Sequence, residues 1–213
     1  MPNPNGDIKI IEAVGEHIEK HIGKIGTVFH EKVSSGIHVD IFIVVPTADR
    51  PFQYLITSGM SELPMNTPQE AKDGRFAELA MCLPASWSLN SDAFRDENNY
   101  WPIRLLKMLA HYPHENETWL YAGHSLKGSG RPFGSNTKMT AALVRYPSLV
   151  PREGHLITID QNRHACLWGI VPLYEEEYDF KQRNGFVSLN DLLVEHGVTE
   201  LLDPVRINVA KLN

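Results

Sequence analysis

Ten histidines, two cysteines and one glycine-rich stretch are the residues through which this chain of 213 residues could do chemistry. His17 and His21 stand four apart in a segment of helical periodicity, a spacing that can hold zinc from one helix face. The residue after His17 is Ile18, so the His-Glu-x-x-His arrangement of a metalloprotease fails, and no third ligand is close in sequence. His111 and His114 straddle Pro113. The expectation is solvated helix histidines, no metal and no cofactor. Gly123-His124-Ser125-Leu126-Lys127 begins like a hydrolase elbow, but Lys127 stands where the sharp turn needs glycine. Gly123 to Gly128 has the first glycine spacing of a phosphate loop, yet Ser129 and Gly130 replace the lysine and hydroxyl that grip phosphate. Neither motif is complete. Gly123, His124 and Ser125 remain a candidate functional loop, with a hydrolase using His124 and Ser125 as the alternative to a binding role.

The acidic run Glu175-Glu176-Glu177, with Asp179, cannot converge on one cation, because consecutive helical residues diverge by about 100°. It reads either as a solvated helix start or as an electrostatic docking patch for a basic partner. Glu78 interrupts an apolar strand; it lies on a sheet edge or pairs with a buried arginine, since burial without a partner is costly. Met60 and Met65 lie in a loop, Gly59 to Asn66, of unusual apolar content. They either fold back onto the core or meet a partner. With Tyr174 and the Glu175–Asp179 face they form the expected partner-binding set, because exposed Met and Tyr commonly anchor interfaces. Trp87 is a further candidate by type, whereas Trp101 starts an apolar stripe and belongs to the core.

These residues need elements to position them. Asp7 followed by Ile8, Ile11, Val14, Ile18 and Ile22 predicts a capped amphipathic helix ending near Gly23. Strands are expected over Thr27–Lys32, His38–Val45, Phe52–Thr57, Arg75–Leu83, Thr140–Tyr146, Leu156–Ile159 and Ala165–Val171. Trp101, Leu105, Met108 and Tyr112 predict a helix with Pro102 in its first turn and Pro113 as its stop. Glu115 to Lys138 reads as a long functional loop. Glu175 to Asn184 reads as a helix capped by Gly185, with a short final helix capped at Ser188. The clustering of strands, with helices at the start, middle and end, predicts an α+β fold. Helices pack on one mixed, largely antiparallel sheet in one domain spanning residues 1–213.

Composition narrows the function classes. Hydrophobic residues are 42% and charged residues 22%, which is globular rather than disordered. Lysine plus arginine is 20 against 26 aspartate plus glutamate, a net charge of −6 that disfavours general nucleic-acid binding. No aliphatic run approaches the roughly 20 residues that span a bilayer, and Met1 to Gly6 shows no secretory signal. Cys82 and Cys166 sit in apolar runs as small buried hydrophobes. A cytoplasmic protein without membrane association is expected.

Several segments in order resemble the suppressor of fused (SUFU) domain: His38–Val44, Glu62-Leu63-Pro64-Met65-Asn66, Ala77–Pro84, Trp101–Leu106, Trp119–Leu126, Gly169–Glu177 and Asp203–Arg206. The resemblance spans roughly residues 25–210. It implies a non-enzymatic protein-interaction domain of mixed α/β structure. Animal members clamp a transcription-factor peptide between two lobes, the peptide adding as a β-strand. Because this chain ends soon after Arg206, it looks like the single-domain bacterial members, many of them associated with toxin systems as immunity proteins. The resemblance therefore implies an antitoxin-like role against another protein, with a basic toxin as the expected partner; a regulatory scaffold domain unrelated to toxins is the other binding role that the sequence leaves open.

Overall fold

In the computed structural model, which describes residues 6–32 and 36–212, Asp7 caps helix α1 (Ile8–His21) by accepting from the Lys9 amide at 3.0 Å. Ile10, Val14 and Ile18 are its buried stripe. Ile8, expected on that stripe, is exposed; at 100° per residue it lies about 120° around the helix from the mean direction of Ile10, Val14 and Ile18. Residues 1–5, read above for a secretory signal, lie outside the described residues. Among the described residues no helix is long and apolar enough to cross a membrane.

Among the described residues eight strands join one sheet: β1 (Ile25–Phe29), β2 (Asp40–Val44), β3 (Phe52–Ser58), β4 (Ala77–Pro84), β5 (Ser125–Lys127), β6 (Ala141–Arg145), β7 (Leu156–Thr158) and β8 (His164–Leu173). The order is β1-β2-β3-β4-β8-β6-β5, with β7 beside β6 on the same side of β8. Every pairing is antiparallel except β4 with β8, so the fold is α+β with a mixed, largely antiparallel sheet. Strand β4 is longer than its pairing with β8. Its last turns are covered by the C-terminal segment, where the Leu202 amide donates to Cys82 O at 2.8 Å and the Cys82 amide to Glu200 O at 2.9 Å. Both cysteines are free thiols, Cys82 buried and Cys166 half-buried.

The alternation along the strands fills both faces. On one, Ile41, Leu55, Leu79 and Met81 meet Trp101, Leu105 and Leu109 of helix α2 (Glu97–Glu115). On the other, α1 covers Phe42, Val44 and Ile56. The same face continues across Leu143, Val171 and Leu173, where Leu189 and Leu193 of α3 (Glu175–Glu195) close it. A sheet buried on both faces needs apolar residues on both, which is why β2 is apolar at nearly every position.

Four expectations are corrected. Helix α2 begins at Glu97, capped by Asp96, so Pro102 lies in its second turn, not its first. The proline ring denies Asn98 O its usual helical donor, and the Asn136 side-chain amide supplies one at 3.3 Å. Pro113 also lies inside α2, whose last turn continues to Glu115. The segment Glu115–Lys138 contains a strand, β5, on the edge of β6. In α3, Gly185 does break the helix, at φ +86° and ψ 169°, a conformation that disfavours any side chain. The second segment starts before Ser188, whose hydroxyl donates to Asn184 O at 2.9 Å instead of capping.

A candidate docking surface

The loop after β3 is folded by one buried carboxylate. Glu78 on β4 is inaccessible to solvent, and its oxygens accept from Thr57 Oγ1 at 2.6 Å, Ser61 Oγ at 2.7 Å, and the Gly59 and Ser61 amides at 2.9 and 3.0 Å. It lies neither on an edge nor beside an arginine, the two expectations from sequence. Burial raises its pKa, and the four donors oppose that rise without cancelling it. Gly59 sits at φ +122°, and a Cβ there would lie 1.8 Å from His38 O, so only glycine passes. Pinned this way, the loop turns Met60 and Met65 inward. Both are core residues, not surface anchors. The Met60 carbonyl accepts from His114 Nε2 at 3.0 Å, and Met65 Sδ accepts from the Leu120 amide at 3.4 Å. What the loop presents outward is Leu63, 44% exposed, and Pro64. They border a shallow groove of about 380 Å³ with Asn66, Pro113, His114 and Glu117.

The segment after α2 lies against this loop. The Asn66 amide donates to Thr118 O at 3.1 Å, and its side chain to Glu117 O at 2.9 Å. Glu117 adopts φ +49°, a left-handed backbone that non-glycine residues seldom take. Beyond it a run of rings crosses the surface: His124 on Trp119 (4.3 Å), Trp119 by Tyr121 (5.9 Å), Tyr121 and Tyr146 both against Trp168 (5.0 and 5.2 Å). Trp168 is buried beneath; Trp119 and Tyr121 are partly open and Tyr146 is 57% exposed. Exposed carboxylates flank the run, Glu117 in the groove with Leu63 and Pro64, Glu115 at the end of α2, and Glu70 and Asp73 in the segment whose Gly74 touches Tyr121. Lys72 and Arg75 balance Glu70 and Asp73 within that segment, and Lys181 reaches Ser125 beside His124, so the remaining negative charge is that of Glu115 and Glu117.

His124 lines this surface but is not assembled for catalysis. Its ring packs on Trp119, and burial lowers its pKa. Ser125 Oγ instead accepts from Lys181 Nζ at 2.9 Å. Among the described residues no hydrogen bond joins His124 to Ser125, whereas a base must reach its nucleophile at about 3 Å. Gly123 packs under Phe186. Nor do the described residues hold any cluster of three or more His, Cys, Asp or Glu side chains placed to grip a metal. The His17 and His21 rings pack against each other, tilted, at 4.7 Å.

The acidic helix start is a clamp, not an open patch. Glu177 is fully buried and grips Arg206 through both oxygens at 2.6 and 2.7 Å, while also accepting from the Tyr174 and Val209 amides at 3.0 Å. Tyr174 is buried and its hydroxyl donates to the Arg206 carbonyl. Glu176 pairs with Lys211 at 2.8 Å and Glu175 with Lys127 at 2.6 Å. Of this set only Asp179 is exposed without an ion pair among the described residues. Local cations thus cancel the charge expected to steer a partner. The surface residues that sequence reasoning passed over, Leu63, Pro64, Trp119, Tyr121 and Tyr146, carried one signal: apolar or aromatic side chains beside acids in segments outside the regular strands.

The suppressor of fused protein (SUFU) family model matches residues 35–207. Comparison with curated protein sequences gave no match. Among solved structures, the chain is similar to a SUFU homolog from Neisseria gonorrhoeae FA 1090, with a TM-score of 0.70 and 16% identity over 95% of this chain and 98% of that one. A chain of the Sufu–Fu complex gives a TM-score of 0.64 and 14% identity, covering 100% of this chain and 95% of that one. Drosophila Suppressor of Fused gives 0.62 and 14%, covering 99% of this chain but 52% of its own length, so this chain spans about half of the fly protein. At such identities the structural likeness is one of fold. The match of the family model over most of the sequence carries the assignment, and this chain belongs to the suppressor of fused family.

Proposed function

We propose that this chain is a non-enzymatic protein-binding domain that docks a basic partner on the surface formed by Leu63, Pro64, Trp119, Tyr121 and Tyr146. The observation that carries the reading is the buried Glu78 network, which holds an apolar loop tip in solvent beside aromatic rings and carboxylates. Exposed apolar anchors inside a polar rim are the anatomy of an interface core. The family adds support, since one similar structure is that of a Sufu–Fu complex. The finer reading is that the partner is a basic toxin neutralised in the cytoplasm by this chain as its immunity protein. It rests on the resemblance to single-domain members and on the net charge of −6. The hydrolase alternative built on His124 and Ser125 lacks its nucleophile–base bond, because Ser125 Oγ accepts from Lys181 instead.

Affinity capture from the native host, followed by reconstitution with the purified partner, tests both levels. Wild type is expected to retain one stoichiometric basic protein, and Leu63→Asp with Tyr146→Ala to weaken it by at least about tenfold at unchanged unfolding midpoint. Undiminished binding by the folded double variant overturns the surface. A neutral or acidic partner overturns the toxin reading.

A further inference from the structure

Lys181 differs from the other lysines of the chain. It lies on the first segment of α3, half-buried where that helix packs on β5, and its Nζ donates to Ser125 Oγ at 2.9 Å. The same oxygen accepts from Gln182 Nε2 at 3.4 Å. Both of these neighbours are neutral. The acids of α3 are occupied elsewhere: Glu175 pairs with Lys127, Glu176 with Lys211 and Glu177 with Arg206, while the charge of Asp179 bears on Lys127. Among the described residues the lysine ion pairs are those of Lys107, Lys127 and Lys211. Lys107 is half-buried too, but it has Glu31 at 3.6 Å. Lys9, Lys24, Lys72 and Lys138 are exposed, and water surrounds their ammonium groups. Lys181 alone combines partial withdrawal from water with the lack of a counter-ion among the described residues. Burial therefore pulls its pKa below the usual lysine range. Its titratable neighbour is His124, whose pKa burial also lowers. Ser125 is half-buried as well, so the pair keeps a side open to a small reagent.

We propose that Lys181 is an acyl-acceptor site, its ε-amine taking the acyl group of a small thioester. The neutral amine attacks the carbonyl carbon, and a C–N bond replaces the C–S bond. The amine proton ends on the leaving sulfur, so the products are an amide and a thiol, with nothing oxidised or reduced. A lysine must shed its extra proton before it can attack, and desolvation without a counter-ion raises the neutral fraction. The inference goes beyond the protein-binding reading and needs no partner.

Acetylation of the full chain by S-acetyl-N-acetylcysteamine near neutral pH, followed at each lysine by peptide mass mapping, tests it. The reagent is uncharged, so surface cations do not attract it. Lys181 is expected to react about threefold or more faster than Lys9, Lys24, Lys72 and Lys138, each tenfold gain in neutral amine being offset in part by lower basicity. Denaturing urea is expected to level the rates. Ser125→Ala removes the contact without adding charge and is expected to keep the lead. Ser125→Asp sets a carboxylate against the ammonium and is expected to abolish it. Circular dichroism reports whether both variants fold, and the comparison of folded with urea-treated wild type stands without them. Equal rates in the folded wild type, a lead that persists in urea, a lead that survives Ser125→Asp, or one lost in folded Ser125→Ala overturns the proposal.

Discussion

At Glu78 a single side chain sets the shape of a loop twenty residues earlier in the chain. All four of its contacts are donors, and a buried carboxylate is stable only where donors replace water. Glu78→Gln keeps one acceptor for three of them, and a loss of under about 1 kcal/mol is expected; Glu78→Leu leaves several buried donors unmet, and about 3 kcal/mol or more is expected, read from urea unfolding. The pH dependence has a definite sign. Burial holds the folded pKa above its ordinary value of 4.5, so the native state binds the proton more tightly than the unfolded chain. The contribution is fully present below the unfolded pKa and is lost as pH rises through the folded one. Urea midpoints measured across that rise should fall less steeply in Glu78→Gln than in wild type. A parallel fall would show that the carboxyl titrates normally.

At the scale of elements, charge pairs act as fasteners. The N-terminus of α3 holds the C-terminal segment through Glu177 and Arg206, and that segment in turn pairs with the end of β4. Arg206→Met strands a buried carboxylate with two amides, and a destabilisation of about 3–5 kcal/mol is expected. Adding Glu177→Leu should recover part of it, and a double-mutant cycle by thermal unfolding measures the coupling. The break in α3 follows a different logic. A Cβ at Gly185 meets nothing within 4 Å, so the cost of Gly185→Ala is purely conformational, about 1–3 kcal/mol. A larger loss would point to a contact that this geometry does not contain.

At the scale of the molecule, the sheet is the scaffold and its loops are the working surface. Both faces are buried, so an exposed strand face is not available for binding, and recognition falls to loops and edges. With a net charge of −6, association with a basic partner is expected to slow by about tenfold between low and high salt while dissociation changes little. Stopped-flow mixing across a salt series reads the two rates separately, and a salt-independent association rate would remove electrostatic steering from the account.

Periodicity placed most strands and all three helices, because the alternation of apolar residues is set by burial on a face and survives in one dimension. Gly185 was legible as a helix end for the same local reason, its positive φ. Positions that depend on a distant partner were not legible: β5 is a strand only because β6 offers an edge, and Pro102 is tolerated inside α2 because Asn136 serves the carbonyl it leaves free. The same division runs through the candidate site. Sequence alone singled out the apolar loop and the acidic helix start as unusual. The tertiary structure decided that Met60 and Met65 point inward, that Leu63 and Pro64 point outward, and that Lys127, Lys211 and Arg206 pair with Glu175, Glu176 and Glu177. Side-chain direction and charge compensation are relations between residues far apart in the chain, and only folding brings those residues within the few ångströms over which they act.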